Sequence, residues 1–195
     1  MIIRSIALFC GSAEGTQHQY RELAASFGQM CANKQITLYY GGAALGLMKA
    51  AADACRTANG KVIGIAPSFF SNSTVIDTTL EELYLVNSMS ERKQMMERDA
   101  DAFVALPGSY GTMDEFFEVL TDAQLGLHHK PVALLNAFGY YTPLIQQLKI
   151  FQKEGFLRDF HFELLIIAST LVELFDKLEY YENSNDRHWL DKIKK

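Results

Sequence analysis

The chain alternates between two hydrophobic rhythms. Unbroken apolar runs at Ile2–Phe9, Ile36–Tyr40, Lys61–Ile65, Ala102–Leu106 and Pro131–Leu135 predict strands, and shorter ones at Glu82–Val86 and Leu164–Ile167 predict two more. Between them, apolar residues recur every three or four positions. Gln17–Asn33 carries Tyr20, Leu23, Ala24, Phe27, Met30 and Cys31 at that spacing and predicts a helix. Leu45–Ala58, Ser90–Asp99, Thr112–Leu127, Tyr141–Glu154 and Leu171–Tyr180 predict the others, with Asn59-Gly60 as a stop and Ser90 as an N-cap. Ser68–Thr78 is a polar loop. Strands that are apolar throughout are covered on both faces. The order therefore predicts an open, doubly wound, mostly parallel α/β sheet with helices on both faces, as one domain over residues 1–181 with a polar tail over 182–195.

Ligands on such sheets sit at the carboxyl ends of the strands. Three glycine-bearing turns fall there: Cys10-Gly11-Ser12, Tyr40-Gly41-Gly42 and Pro107-Gly108-Ser109-Tyr110-Gly111. The last joins a strand to a helix, a geometry that turns free backbone N–H groups toward an anion. Neither the dinucleotide fingerprint G-x-G-x-x-G nor the phosphate-loop pattern G-x-x-x-x-G-K-[ST] is present, which disfavours hydride transfer and triphosphate hydrolysis. Glu115 follows the third turn within a helical turn. It reads either as a site carboxylate or as the closing member of a T-x-x-E capping box begun by Thr112. Arg92 and Lys93 stand near a helix start, where the dipole disfavours cations. They either hold an anion or form a solvated face with Glu91 and Glu97.

The 195 residues are 49% hydrophobic with a net charge of −5. No basic stripe suits nucleic acid and no apolar run is long enough to span a bilayer. Met1–Phe9 reads as a first strand rather than a signal peptide, so the expected compartment is the cytoplasm. Cys10, Cys31 and Cys55 are scattered and read as reduced, buried thiols. His128-His129 close a helix and read as a cationic C-terminus, with no metal-ligand spacing nearby. Phe116, Phe117 and Leu120 suit either the core or a partner.

Met89–Met96 reads M-x-x-R-K-x-x-M, and Pro107–Glu115 reads P-G-x-x-G-T-x-x-E. The pair resembles the Lonely Guy (LOG) family of cytokinin riboside 5′-monophosphate phosphoribohydrolases, often labelled lysine decarboxylases. The similarity runs from Cys10-Gly11-Ser12 through Gln124-Leu125-Gly126 and Lys130-Pro131-Val132 to Asn136. It implies a Rossmann-like homodimer that cleaves the N-glycosidic bond of a nucleoside 5′-monophosphate, with no metal or organic cofactor. Carried over by motif, Arg92 and Glu115 are the catalytic pair and Lys93 a supporting contact. Gly108, Ser109, Tyr110, Gly111 and Thr112 cradle the phosphate. Met89, Asp114 and Thr121 are further substrate contacts, and Gly11, Ser12, Gly41 and Gly42 line the same pocket.

Ser109 stands where the family usually has a second glycine, Ala43 and Lys49 replace two more, and Ser90 replaces a common histidine. Serine at 109 is strained if the site needs a positive φ, although its hydroxyl could donate to phosphate. A nucleotide-binding or carrier protein without turnover is therefore the alternative. Lysine decarboxylation fits poorly, because it needs pyridoxal phosphate on a lysine. Lys93 is the only lysine in a suggestive motif, and Arg92 explains that motif better.

Overall fold

A computed structural model describes residues 2–71 and 74–182. Its seven strands are β1 (Ser5–Phe9), β2 (Thr37–Tyr40), β3 (Val62–Pro67), β4 (Glu82–Val86), β5 (Ala102–Ala105), β6 (Val132–Leu135) and β7 (Leu165–Ala168). They form one sheet in the order β4-β3-β2-β1-β5-β6-β7, and every pairing is parallel. The helices are α1 (His18–Asn33), α2 (Gly46–Thr57), α3 (Met89–Asp99), α4 (Tyr110–Leu125), α5 (Thr142–Lys153), the short α6 (Asp159–Phe162) and α7 (Leu171–Glu179).

The period-2 alternation of each strand feeds two separate cores. Ile6, Leu8, Leu38, Val104 and Leu135 pack on one face against Phe27 of α1, Leu47 and Ala51 of α2 and Leu174 of α7. Ala7, Phe9, Ile65, Phe103 and Leu134 pack on the other against Met96 of α3, Phe116 and Val119 of α4 and Leu148 of α5. This is the Rossmann-like, doubly wound architecture that the rhythm predicts. Phe116 is in the core, with Phe117 and Leu120 half-buried against it.

Helix termini differ from the expected ones. Helix α3 is capped by Ser88, not Ser90: the Ser88 hydroxyl accepts from the Glu91 amide at 3.1 Å, and the Glu91 carboxylate accepts from the Asn87 amide at 2.8 Å. That is a reciprocal cap around the helix start. Helix α4 begins at Tyr110 with Ser109 as N-cap, two residues before the expected Thr112. Two 3₁₀ turns, Ser68–Phe70 and Ala137–Gly139, and helix α6 are additional. His128 is not a cationic helix end. It is buried, Nε2 lies 2.8 Å from the Val119 carbonyl, and Nδ1 accepts the Lys130 amide, while burial pushes its pKa down. The three cysteines are buried free thiols. All but Glu182 of the expected polar tail lies outside the described residues.

Candidate active site

Strand β1 lies between β2 and β5, where the chain's progress across the sheet reverses. A crevice opens at such a switch point, beyond the strands' carboxyl ends. Here the loops after β1 and β5 are tied together by the Gly11 amide donating to the Pro107 carbonyl at 3.0 Å. The Leu47 amide ties α2 to the same turn through the Gly11 carbonyl, also at 3.0 Å. Above them lies a cavity of about 260 Å³, close to the ~300 Å³ lower end of small-molecule sites.

Arg92 and Glu115 meet on its wall. On α3, Arg92 and Met96 are the buried positions, four residues apart on one face. On α4, Thr112, Glu115, Phe116 and Val119 form the buried face. Each polar side chain thus points inward because its helix turns an apolar neighbour to the core. Arg92 and Glu115 are each only 7% exposed. The Arg92 guanidinium donates from Nε to the Ile65 carbonyl at 3.0 Å and from Nη1 to Glu115 Oε1 at 2.5 Å. It is held by β3 on one side and offered to Glu115 on the other. Glu115 is therefore not a helix cap, and Arg92 does not pair with Glu91 or Glu97.

Burial pushes the Glu115 carboxyl pKa up. The charge and hydrogen bond of Arg92 oppose this without cancelling it, so the net direction is upward. Gly41 makes the approach possible, since a Cβ there would sit 2.3 Å from Arg92 Nη2 and 2.9 Å from Met48 Sδ. Gly108 serves the next loop in the same way, because a Cβ there would sit 2.0 Å from Thr112 Oγ1.

The N-terminus of α4 forms another wall. Ser109 makes no side-chain cap, and the Met113 amide bonds the Ser109 carbonyl at 3.0 Å. The amides of Tyr110, Gly111 and Thr112 come before it, among the donors that a helix start leaves without an intrahelical acceptor. Ser109 has φ −120°, a value open to any L-residue, so the expected strain does not arise.

Of the residues singled out from the sequence, Gly11, Ser12, Gly41, Met89, Arg92, Ser109, Gly111, Thr112, Asp114 and Glu115 share the cavity lining. Gly108 instead lines an adjoining cavity of about 170 Å³. Gly42 plays a backbone part, its carbonyl accepting from the Asp77 amide at 2.8 Å. Lys93, Tyr110 and Thr121 lie outside the lining, along an outer groove between α3 and α4. Tyr110 is 93% exposed. Lys93 bridges Asp114 and Glu118, and these bonds raise its pKa.

The apolar half of the cavity comes from Met48, Ala66, Pro67, Phe70, Val75 and Ile76, none of them singled out beforehand. Their signal was topological, since the end of β3 reaches the site only because β3 lies next to β2. Ala43 also lines the cavity, and its backbone bridges Ile76 in antiparallel fashion. Among the described residues no lysine is in the lining.

Residues 48–178 match the family model described as "Possible lysine decarboxylase". The cytokinin riboside 5′-monophosphate phosphoribohydrolase LOG of Oryza sativa subsp. japonica is 41% identical over 91% of this chain and 74% of its own. LOG3 of Arabidopsis thaliana, which bears the same enzyme name, is 40% identical over 94% of this chain and 86% of its own. Among solved structures, the molybdenum cofactor carrier protein of Chlamydomonas reinhardtii superposes with a TM-score of 0.69, covering 91% of this chain and 97% of that one. Its 20% identity carries the likeness no further than the fold. Similarity to the plant enzymes at this level, over most of the chain, means that the protein belongs to the LOG family.

Proposed function

We propose that this chain hydrolyses the N-glycosidic bond of a purine or cytokinin nucleoside 5′-monophosphate, releasing free base and ribose 5-phosphate. The carrying observation is the buried Arg92–Glu115 pair, open to a cavity whose other wall is the uncapped start of α4. The enzyme names of relatives about 40% identical support the same reading.

In this reading the phosphate lies against the amides of Gly111 and Thr112, and the base lies toward Met48, Ile76 and Met89. As the C1′–N bond breaks, its electron pair leaves with the base and positive charge develops on the sugar. The Glu115 carboxylate stabilises that charge and accepts a proton from the attacking water, while the departing base takes up a proton. Arg92 fixes the carboxylate by a charge-assisted bond. The distant phosphate supplies binding energy that positions the reacting carbon. Lys93, placed across α3 and α4, supports this geometry through Asp114 rather than touching substrate.

The protein is read as cytoplasmic; among the described residues no helix is long and apolar enough to cross a membrane. It is also read as a homodimer, for which the outer groove with its exposed Tyr110 supplies a face.

Incubation with AMP and N6-isopentenyl-AMP, followed by detection of free base and ribose 5-phosphate, tests the activity. Glu115→Gln is expected to lower kcat by about 10²–10⁴-fold while ribose 5-phosphate still binds. Release of no base from either substrate overturns hydrolysis, and tight AMP binding without release selects the carrier alternative.

A further inference from the structure

A loop that binds an anion through its amides keeps its carbonyl oxygens turned away from the ligand. In the segment Leu106–Gly108 each carbonyl is held by a donor. The Pro107 carbonyl accepts from the Gly11 amide at 3.0 Å. The other two are held from outside by consecutive tyrosines: Tyr141 Oη donates to the Leu106 carbonyl at 2.7 Å, and Tyr140 Oη to the Gly108 carbonyl at 2.8 Å. Neither tyrosine lines the larger cavity, and Tyr140 lines the adjoining one beside Gly108.

The tyrosines are themselves held in place. Asn136, just after β6, accepts the Tyr141 amide through its side-chain oxygen at 2.7 Å and donates to Thr142 Oγ1 at 3.1 Å. Between them Phe138 and Gly139 both have positive φ, 57° and 72°, which closes the turn tightly enough to bring residues 140 and 141 back over β5. For phenylalanine that conformation is unfavourable, and surrounding contacts must hold it. Its ring and that of Tyr140 both meet Tyr20 of α1 edge-on, at 6.0 and 5.6 Å.

We propose that Tyr140 and Tyr141 are positioning residues for phosphate recognition, their hydroxyls fixing the Gly108 and Leu106 carbonyls and with them the path of the loop that sets the start of α4, whose amides face the ligand. The inference rests on the phosphate lying at the start of α4, as proposed above. Preorganised donors of this kind bind an anion without reorganising when it arrives.

The test uses Tyr140→Phe, Tyr141→Phe and the double variant, each removing hydroxyls and leaving the rings. Calorimetry gives the Kd for ribose 5-phosphate, and steady-state assays give KM and kcat for AMP. The double variant is expected to bind ribose 5-phosphate about tenfold more weakly, with KM rising in parallel. Its kcat at saturation stays within about twofold, since Arg92 and Glu115 are untouched. Unchanged affinity, or a fall in kcat as large as the fall in affinity, overturns the proposal. Should Tyr141→Phe not fold, the half-exposed Tyr140 carries the test alone. Wild-type protein that binds ribose 5-phosphate but releases no base defeats the proposed activity and leaves the brace to be judged by Kd. Wild-type protein that does not bind it defeats the brace.

Discussion

Glu115 has an acid of raised pKa next to a fixed cation, and the two influences can be separated. Catalysis as proposed needs the carboxylate form. Because burial dominates, kcat/KM is expected to fall as pH drops through a midpoint above the ordinary 4.5 of a glutamate. Arg92→Gln removes the opposing charge, so the midpoint of its residual activity moves to higher pH; a pH–rate profile of both proteins checks this. The stability effect has the opposite sign. A carboxyl raised on folding adds stability below its unfolded pKa and loses it as pH rises through the folded value. Wild-type protein should therefore gain stability relative to Glu115→Gln as pH falls from neutrality toward the ordinary 4.5 of a glutamate, as read by denaturant midpoints at each pH. Gly41 argues at the same scale. Gly41→Ala is expected to displace Arg92 or Met48 and to lower activity at least as much as loss of the ion pair does, with the protein still folded by circular dichroism. A side chain at 2.3 Å from Nη2 leaves the guanidinium no room where it now lies.

At the scale of elements the phase of a helix decides which residues can serve the site. Successive positions differ by about 100° around the axis, so Arg92 points into the cavity while Lys93 points out toward Asp114 and Glu118. The same rule carries Tyr110 outward and Glu115 inward on α4. The sequence motifs identified the residue types and the two helices. They did not give the whole first turn of α4, because an expected start at Thr112 leaves Tyr110 and Gly111 in the loop. Phase at α3 is set by Ser88, whose reciprocal bond with Glu91 fixes the first turn that presents Arg92. Ser88→Ala is expected to destabilise the protein by about 1 kcal/mol, whereas Ser90→Ala changes it by less than about 0.5 kcal/mol. Chemical denaturation of the two variants distinguishes the caps, and equal effects would contradict the assignment.

The whole molecule joins what the linear chain separates. Alternating rhythm was enough for a doubly wound sheet, because a strand covered on both faces leaves a run that few other folds need. It was not enough for strand order, and order is what brings Pro67 and Ile76 to the cavity and Tyr141 to the loop after β5. The site is thus made of loops following β1, β2, β3 and β5, joined by single hydrogen bonds such as Gly11 to Pro107. A ligand bridging them binds only the folded chain, so occupancy must appear as global stability. At a hundredfold excess over Kd, linkage supplies about 2.7 kcal/mol. For a domain of this size that amounts to a rise in Tm of about 5–10 °C. Ribose 5-phosphate should produce the rise in wild-type protein and in Glu115→Gln alike, since the phosphate contacts lie on the start of α4. The Tyr140→Phe/Tyr141→Phe double variant should need about ten times more ligand for the same rise. Thermal scans across a ligand titration measure both. A rise confined to proteins that retain Glu115 would place the anion on the carboxylate side of the cavity and not at the helix.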